Sequence, residues 1–176
     1  LLLETLHKAK AGNNFEIPVF DKSLYDGKGD VVAKTKKVKG RQDFVILEGW
    51  CVGMPAVSSA QLLQICRKNG IDIRKIDPQL EDHKVVLKFT KEYQPVWKLL
   101  DYVIMLKADS PEIHKKWRLL QENRMKQKKG KGMSKEQVHA FVEPFLPFTY
   151  VCYDLIKPNV KVLIDEKHNF YRVNFY

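Results

Sequence analysis

The sequence predicts an α/β fold, a three-layer sandwich of helices around a mainly parallel β-sheet. Short unbroken apolar runs at 43–47 and 102–106 are typical of strands buried on both faces of a parallel sheet. Segments with helical periodicity alternate with these runs, which is the order of βαβ units. Hydrophobic residues make up 44% of the 176 positions, enough for the core of one domain. We expect a single domain over 1–176.

The first part of the chain predicts a helix at 1–9 and a short strand at 15–20. Pro18 confines that strand to a sheet edge or to its own end. Residues 21 to about 42 form a charged loop that begins with the stretch DKSLYDGKGD. The apolar run at 43–47 then predicts a buried strand, which ends in Glu48-Gly49-Trp50.

The middle of the chain predicts two helices. Ser58 or Ser59 caps a helix over 60–68, which ends at Asn69-Gly70. Within 78–100 the apolar residues recur three or four positions apart and predict one buried helix face, with a kink at Pro95. The members of that face are Val86, Phe89, Tyr93, Trp97 and Leu100.

The last part predicts a strand at 102–106 and a helix that starts at Ser110-Pro111-Glu112. That helix runs into the basic segment KQKKGKG and ends at Gly130 and Gly132. Ser134 with Gln137 predicts a capping box for the next helix. A strand at 160–165 and a turn at 166–169 lead into a final strand at 170–176.

Composition limits the classes of function. The net charge is +10, largely from lysine-rich patches at 34–41 and 124–131. Such patches suit phosphate, nucleic acid or an acidic membrane surface, or they are solvated loops. The three cysteines have no metal-ligand spacing, so we expect a reduced protein of the cytoplasm. The first ten residues, LLLETLHKAK, are typical of the later part of a helix, so we expect these residues to belong to a longer chain. Whether a targeting segment precedes them is an open question.

Candidate chemistry lies where strands end, because open α/β sheets bind ligands beyond the carboxyl ends of their strands. DKSLYDGKGD is either an ordinary turn or a loop that holds a small charged ligand. Glu48 directly follows an apolar strand, an arrangement suited to a Mg²⁺-nucleotide. Arg118, on the helix that runs into KQKKGKG, suits a mobile lid over phosphates. The alternative is a solvated helix end in which Arg118 pairs with Glu122.

Other residue types offered no site. The five histidines are scattered without metal-ligand spacing, and no G-x-S-x-G nucleophile motif is present. Glu143 and Asp165 are isolated acids at element ends, to which we assigned no chemistry.

Five stretches in order resemble the D-glycerate 3-kinase family and its fungal relatives, which are P-loop kinases similar to uridine kinase and phosphoribulokinase. They are IPVFDKSLYDGKGD, VILEGWCVG, KKWRLLQENRM, GKGMSKEQVHAFVEPFLP and VLIDEKHN. The resemblance implies a P-loop NTPase-like fold that is incomplete at its N-terminus. It also implies transfer of the γ-phosphoryl group of ATP, with Mg²⁺, to a small hydroxy acid such as D-glycerate.

The resemblance assigns roles residue by residue. Asp21, Lys22, Ser23, Gly29 and Asp30 belong to the loop that binds the acceptor substrate. Glu48 lies near the Mg²⁺-nucleotide and contacts the metal through water. The lid, at about 110–134, carries Arg118 as the catalytic arginine. Gln121, Glu122 and Lys131 complete the nucleotide side of that lid.

Two departures from the family pattern stand out. The phosphate loop G-x-x-x-x-G-K-[ST] is not among these 176 residues, so we expect this segment alone to be inactive. The family pattern G-x-G-D-R ends here in Val31, so an arginine suited to an acceptor carboxylate is replaced.

Three functions therefore stay open. They are a kinase acting on a small-molecule hydroxy acid, a non-catalytic kinase-like binding or scaffold protein, and a basic nucleic-acid-binding module. Under the first of these we expect no specific nucleic-acid or membrane partner, and the oligomeric state is undetermined.

Overall fold

The structure is a computed structural model that describes residues 1–21, 24–27, 29–130 and 132–176. The chain divides into two compact units, residues 1–49 and residues 50–176. Each unit is described separately.

The first unit consists of a helix and a β-hairpin. Its elements are α1 (Leu2–Lys10), β1 (Phe15–Asp21), the single turn α2 (Leu24–Gly27) and β2 (Asp30–Val38). The strands pair antiparallel, from Phe15 opposite Val38 to Asp21 opposite Asp30, and the register shifts after Pro18, which has no N–H to donate. The predicted loop over 21–42 is therefore wrong at 30–38, where Val and Thr residues build a lysine-rich strand.

Residues 43–47 do not form the predicted strand. The side chains of Phe44 and Ile46 are each 88% exposed, and the segment has no regular secondary structure. Within the described ranges no other strand pairs with it. An apolar run becomes a strand only where a neighbouring ladder receives its backbone hydrogen bonds, so the prediction is wrong for this structure.

The second unit contains six α-helices and three strands among its described residues. The first three helices are α3 (Ser59–Lys68), α4 (Ile73–Ile76) and α5 (Glu81–Trp97). They are followed by β3 (Ile104–Ala108), α6 (Ile113–Lys129), α7 (Lys135–Val142) and a 3₁₀ turn, Glu143–Phe145. The unit ends with α8 (Leu146–Leu155), β4 (Val160–Ile164) and β5 (Phe170–Phe175). No helix in the described ranges is long and apolar enough to cross a membrane.

The strands of the second unit form one sheet in the order β3-β4-β5. β3 and β4 are parallel, whereas β4 and β5 are antiparallel. Among the three strand pairs that the structure describes, β3 with β4 is the one parallel pair. The strands of the other two pairs are joined by short connections, which suit antiparallel pairing. The strand predicted at 102–106 begins at Ile104, and Ile104 and Leu106 are more than half exposed, so one face of β3 is open.

The core of the second unit is built by α3, α5, α8 and the turn before α3. Its best-buried members are Met54, Leu62, Cys66, Phe148 and Val151. α5 contributes His83, Leu87, Thr90 and Val96, whereas Phe89 and Tyr93 are about half exposed. The predicted face of this helix is thus wrong at Phe89 and Tyr93. The buried positions instead include His83, which hydrogen-bonds to Asp77, and Thr90, which donates to the Leu87 carbonyl.

Polar side chains cap the N-terminal ends of α3 and α5. Ser58, not Ser59, caps α3: its hydroxyl accepts from the Gln61 N–H at 3.2 Å, and the Gln61 side chain accepts in return from the Ser58 N–H. α5 has no cap from Leu80, the residue before it. Asp77 supplies one instead, because its carboxylate accepts from the backbone N–H groups of Glu81 and His83.

Candidate functional site

The carboxyl ends of β3 and β4 lie at one edge of the sheet, since the two strands are parallel and Ala108 pairs with Ile164. The Asp109 N–H donates to the Ile164 carbonyl at 3.3 Å, which joins the two strand ends. The Tyr171 hydroxyl, on β5 at the far side of β4, donates to the Asp109 carboxylate. Ligands of α/β sheets bind outside such an edge, so this edge is the candidate site.

The turn after β4 is built around Asp165. One carboxylate oxygen accepts from the backbone N–H groups of Lys167 and Asn169, both at 2.8 Å, and the other accepts from the Asn169 side chain at 2.9 Å. The hydrogen bonds from Asn169 hold the pKa of Asp165 below its ordinary value. His168 has a left-handed backbone, with φ +67°. Asp165 thus shapes the turn and gives His168 a defined position.

α6 lies against this turn through Trp117. The indole N–H donates to the Glu166 carbonyl at 2.8 Å, and the indole ring stacks on the His168 ring with centroids 4.4 Å apart. Lys116 adds an ion pair with the Glu166 carboxylate at 2.9 Å. Two of the five stretches, KKWRLLQENRM and VLIDEKHN, therefore meet at the carboxyl edge of the sheet.

Arg118 occupies the next position on α6 and is held by two residues of its own helix. One terminal nitrogen donates to Gln121 Oε1 at 2.9 Å and the other to Glu122 Oε1 at 2.5 Å. The guanidinium carbon lies 5.0 Å from the centre of the Phe141 ring on α7. The i,i+4 ion pair between Arg118 and Glu122, which the sequence predicts for a solvated helix end, is present. About a third of the arginine side chain is nevertheless exposed.

Glu122 connects α6 to the segment that precedes α7. Its side chain is 2% exposed, and its second oxygen accepts from the Met133 N–H at 3.1 Å. A side chain at Gly132 has no room, because a Cβ there lies 2.8 Å from Lys126 Cγ and 3.1 Å from Glu122 Oε2. The carboxylate that the resemblance assigns to the nucleotide side is thus directed inward, while Gln121 is exposed. Lys131 lies outside the described residues.

The predicted acceptor residues lie in the first unit, at the closed end of its hairpin. Asp21 ends β1 and faces Asp30, the first residue of β2. Gly29 has φ +77°, its N–H donates to the Leu24 carbonyl at 2.9 Å, and Phe20 fills the space where a Cβ would lie. The Asp30 carboxylate accepts from the Val31 N–H at 2.7 Å. Lys22 and Ser23 lie outside the described residues.

Glu48 is exposed in the segment that leads into Trp50. The Trp50 ring packs edge-on against Phe145 and Phe148, and its N–H donates to the Thr149 hydroxyl at 3.4 Å. The stretches VILEGWCVG and GKGMSKEQVHAFVEPFLP therefore also touch. In the described parts of the chain, no three His, Cys, Asp or Glu side chains cluster as a metal site.

Sequence reasoning missed the roles of Asp165, Glu166, Trp117 and His168. From the sequence Asp165 is an isolated acid, although Asp side chains commonly stabilise turns by accepting from the backbone two residues on, as Asp165 does from Lys167. The contact of that turn with Trp117 joins residues about fifty positions apart, and no local pattern indicates it.

Known proteins similar to this chain are kinases. No protein-family profile matches it. It is 32% identical over 149 residues to "D-glycerate 3-kinase, chloroplastic" from Arabidopsis thaliana, covering 82% of this chain and 30% of that protein. It is 32% identical over 134 residues to "Probable ATP-dependent kinase TDA10" from Saccharomyces cerevisiae, covering 74% of this chain and 42% of that protein. The chain thus spans less than half of either relative.

This chain also resembles the solved structure of a D-glycerate 3-kinase from Cryptococcus neoformans var. grubii, with a TM-score of 0.82 and 26% identity. The superposition covers 99% of this chain and 66% of that protein. The predicted α/β fold, of the type found in P-loop kinases, is confirmed by this superposition.

Proposed function

Because the chain is related to the D-glycerate 3-kinases and to the fungal ATP-dependent kinases, as its five stretches predict, we propose that the protein is an ATP-dependent phosphotransferase. The phosphoryl group goes from ATP to a hydroxyl group of a small hydroxy acid such as D-glycerate. The observation that carries the proposal is the arginine-bearing helix α6, which is anchored by Trp117 at the carboxyl edge of the sheet.

Arg118 and Glu48 are the catalytic residues of this proposal, and Arg118 is the one that faces the phosphoryl group. Phosphoryl transfer depends on positioning and on neutralising charge at the phosphate oxygens. Gln121 and Glu122 hold the guanidinium in place, and its exposed third retains N–H groups that can donate to a phosphate. Gln121 and Lys131 complete the lid on the nucleotide side, and Glu122 acts there through Arg118.

The acceptor loop spans residues 21–30. Its proposed substrate-binding residues are Asp21, Lys22, Ser23, Gly29 and Asp30. Carboxylates accept hydrogen bonds, so Asp21 and Asp30 suit the hydroxyl groups of a substrate better than its carboxylate. Val31 has no charge for that carboxylate, and Lys34 or Lys36 is left as the nearest cation along the strand. We therefore keep D-glycerate as one member of a class of hydroxy acids.

Mg²⁺ is proposed together with ATP. This cation is held by one or two carboxylates and mainly by phosphate and water oxygens, which an exposed single carboxylate such as Glu48 fits. When bound, Mg²⁺ neutralises charge on the transferring phosphoryl group. We keep the cytoplasm as the expected compartment.

The test is ADP release from the full-length gene product, measured with ATP and a panel of small hydroxy acids and nucleosides. We expect turnover with a hydroxy acid and its loss in Arg118→Ala, with Arg124→Ala, six positions further along α6, as the matched control. Turnover with nucleosides alone would overturn the substrate class. No turnover with any acceptor would favour the second candidate.

That second candidate is a non-catalytic kinase-like binding protein. Val31, where the family pattern has arginine, favours it. A full-length protein that binds a hydroxy acid or a protein partner without ADP release would establish it.

A further inference from the structure

Two cysteines that are 101 positions apart have their sulfur atoms in contact. Cys51 Sγ and Cys152 Sγ are 3.6 Å apart, and both residues are free thiols. Cys51 lies in the turn after Trp50 and is partly exposed, whereas Cys152 lies on α8 and is 8% exposed. A small reagent therefore reaches the pair from the Cys51 side.

The backbone at Cys51 is strained. Its φ is +62°, a left-handed conformation that residues with a side chain rarely adopt. Such conformations persist only where the surroundings fix them. Here Trp50 is held on α8 by Phe148 and Thr149, and the sulfur of Cys51 contacts Cys152 on the same helix.

We propose that Cys51 and Cys152 are a modification site, at which a reversible disulfide forms by exchange with a small disulfide such as oxidised glutathione. A disulfide needs its sulfur atoms about 2.05 Å apart, so the two must approach by about 1.5 Å. Cys51 lies in a turn, outside any helix or strand, and its side chain and backbone can supply that movement. The proposal is independent of the phosphotransferase function.

The exchange balances in two steps. The Cys51 thiolate attacks one sulfur of the small disulfide, forms a mixed disulfide and releases one small thiolate. The Cys152 thiolate then attacks the Cys51 sulfur, closes the protein disulfide and releases the second. The two protein thiols lose two electrons and two protons, and one small disulfide becomes two small thiols.

The reaction is slow. The hydrogen bond with Cys152 and burial both raise the pKa of Cys51, so the reactive thiolate is scarce at neutral pH. The pair therefore stays reduced in an ordinary cytoplasmic setting and closes only under sustained oxidation.

Closure would covalently attach the turn that follows Glu48-Gly49-Trp50 to α8. The covalent loop would enclose the residues between 51 and 152, which include α3, α5, β3 and α6. A loop this long removes much conformational freedom from the unfolded chain. We expect the oxidised form to unfold at a higher temperature than the reduced form.

The experiment incubates the folded 176-residue chain with oxidised glutathione, alkylates it under denaturing conditions and measures mass and cross-linked peptides. We expect a chain that is lighter by two hydrogens, with Cys66 alone alkylated and a peptide joining Cys51 to Cys152. Dithiothreitol should restore three alkylated cysteines. The midpoint of thermal unfolding should rise on oxidation by roughly 5 °C or more.

Cys66→Ser is the matched control, because it removes a buried cysteine and keeps the pair. It should give the same mass loss, whereas Cys51→Ser should give none. Three alkylated cysteines after prolonged oxidation would overturn the proposal. So would a lasting glutathione adduct on Cys51, or a disulfide that involves Cys66. The wild-type chain alone distinguishes these outcomes, so the test remains valid even if a variant fails to fold.

Discussion

At the scale of single residues, Glu122 is the one acidic residue within α6, and it makes contacts that are unusual for a charged helix side chain. Both carboxylate oxygens have partners inside the protein, Arg118 on one side and the Met133 N–H on the other. An i,i+4 pair is often a weak surface feature, but this carboxylate is buried. Glutamine has one acceptor oxygen, so its substitution for Glu122 leaves either the arginine nitrogen or the Met133 N–H without its acceptor.

Glu122→Gln should therefore lower the free energy of unfolding by roughly 2–4 kcal/mol, because breaking a buried ion pair is costly. Glu112→Gln is the matched control: Glu112 pairs with Lys115 at 2.9 Å, yet its side chain is 53% exposed. The control should lose less than about 0.5 kcal/mol. Urea unfolding of both variants measures the difference, and equal losses would contradict the burial argument.

At the scale of elements, two adjacent serines lie at the start of α3, and only one of them caps the helix. The sequence left Ser58 and Ser59 open, and the structure assigns the capping box to Ser58 with Gln61. Ser58→Ala should cost roughly 1 kcal/mol in the free energy of unfolding, the usual loss for a cap. Ser59→Ala, one position later and without a cap bond, should be near neutral. A larger loss at Ser59 in urea unfolding would reverse the assignment.

The start of α5 predicts a dependence on pH. Burial alone would raise the pKa of Asp77, but its hydrogen bonds with His83 and with the Glu81 N–H outweigh burial and lower that pKa. A carboxyl whose pKa is lowered by folding stabilises the fold above its unfolded pKa of about 3.9. That contribution is lost as the pH falls through the folded-state pKa.

Asp77→Asn should therefore be less stable than wild type near neutral pH, and the difference should shrink on acidification below about pH 4. Urea unfolding at a series of pH values measures it. Asp72→Asn is the control, because it also replaces a capping carboxylate, at the exposed start of α4. A difference between wild type and Asp77→Asn that stays constant with pH would contradict the lowered pKa.

Most helices and caps could be predicted from the sequence because their signals are local, whereas α4 and α8 were not predicted. Ser134 with Gln137 and Asn69 after α3 are found as expected. Strands were harder, because pairing is decided by distant residues. The run at 43–47 looks like a buried strand yet has no neighbour in the described chain, and the lysine-rich β2 was predicted to be a loop. The same holds for the candidate site. The Arg118–Glu122 pair is local and could be predicted, whereas the contact of Glu122 with Met133 is not local and was not predicted.

At the scale of the whole molecule, nucleotide affinity is the most informative property. The 176 residues lack G-x-x-x-x-G-K-[ST], the loop that supplies most phosphate contacts in P-loop kinases. We expect this chain alone to bind Mg-ATP weakly, with no saturation at micromolar concentrations in isothermal titration. The matched comparison is the full-length gene product, which should bind tightly if it is a kinase. Micromolar affinity in the 176-residue chain would contradict the prediction.

The stack of Trp117 on His168 also has a spectroscopic consequence. The chain has three tryptophans, and this one lies with its ring face against an imidazole, a group that quenches indole emission when it is protonated. Replacing Trp50 and Trp97 by phenylalanine leaves Trp117 as the single emitter. Separation of α6 from the turn after β4 would then brighten the fluorescence. This single tryptophan would thus report separation of α6 from the turn after β4 without an attached dye.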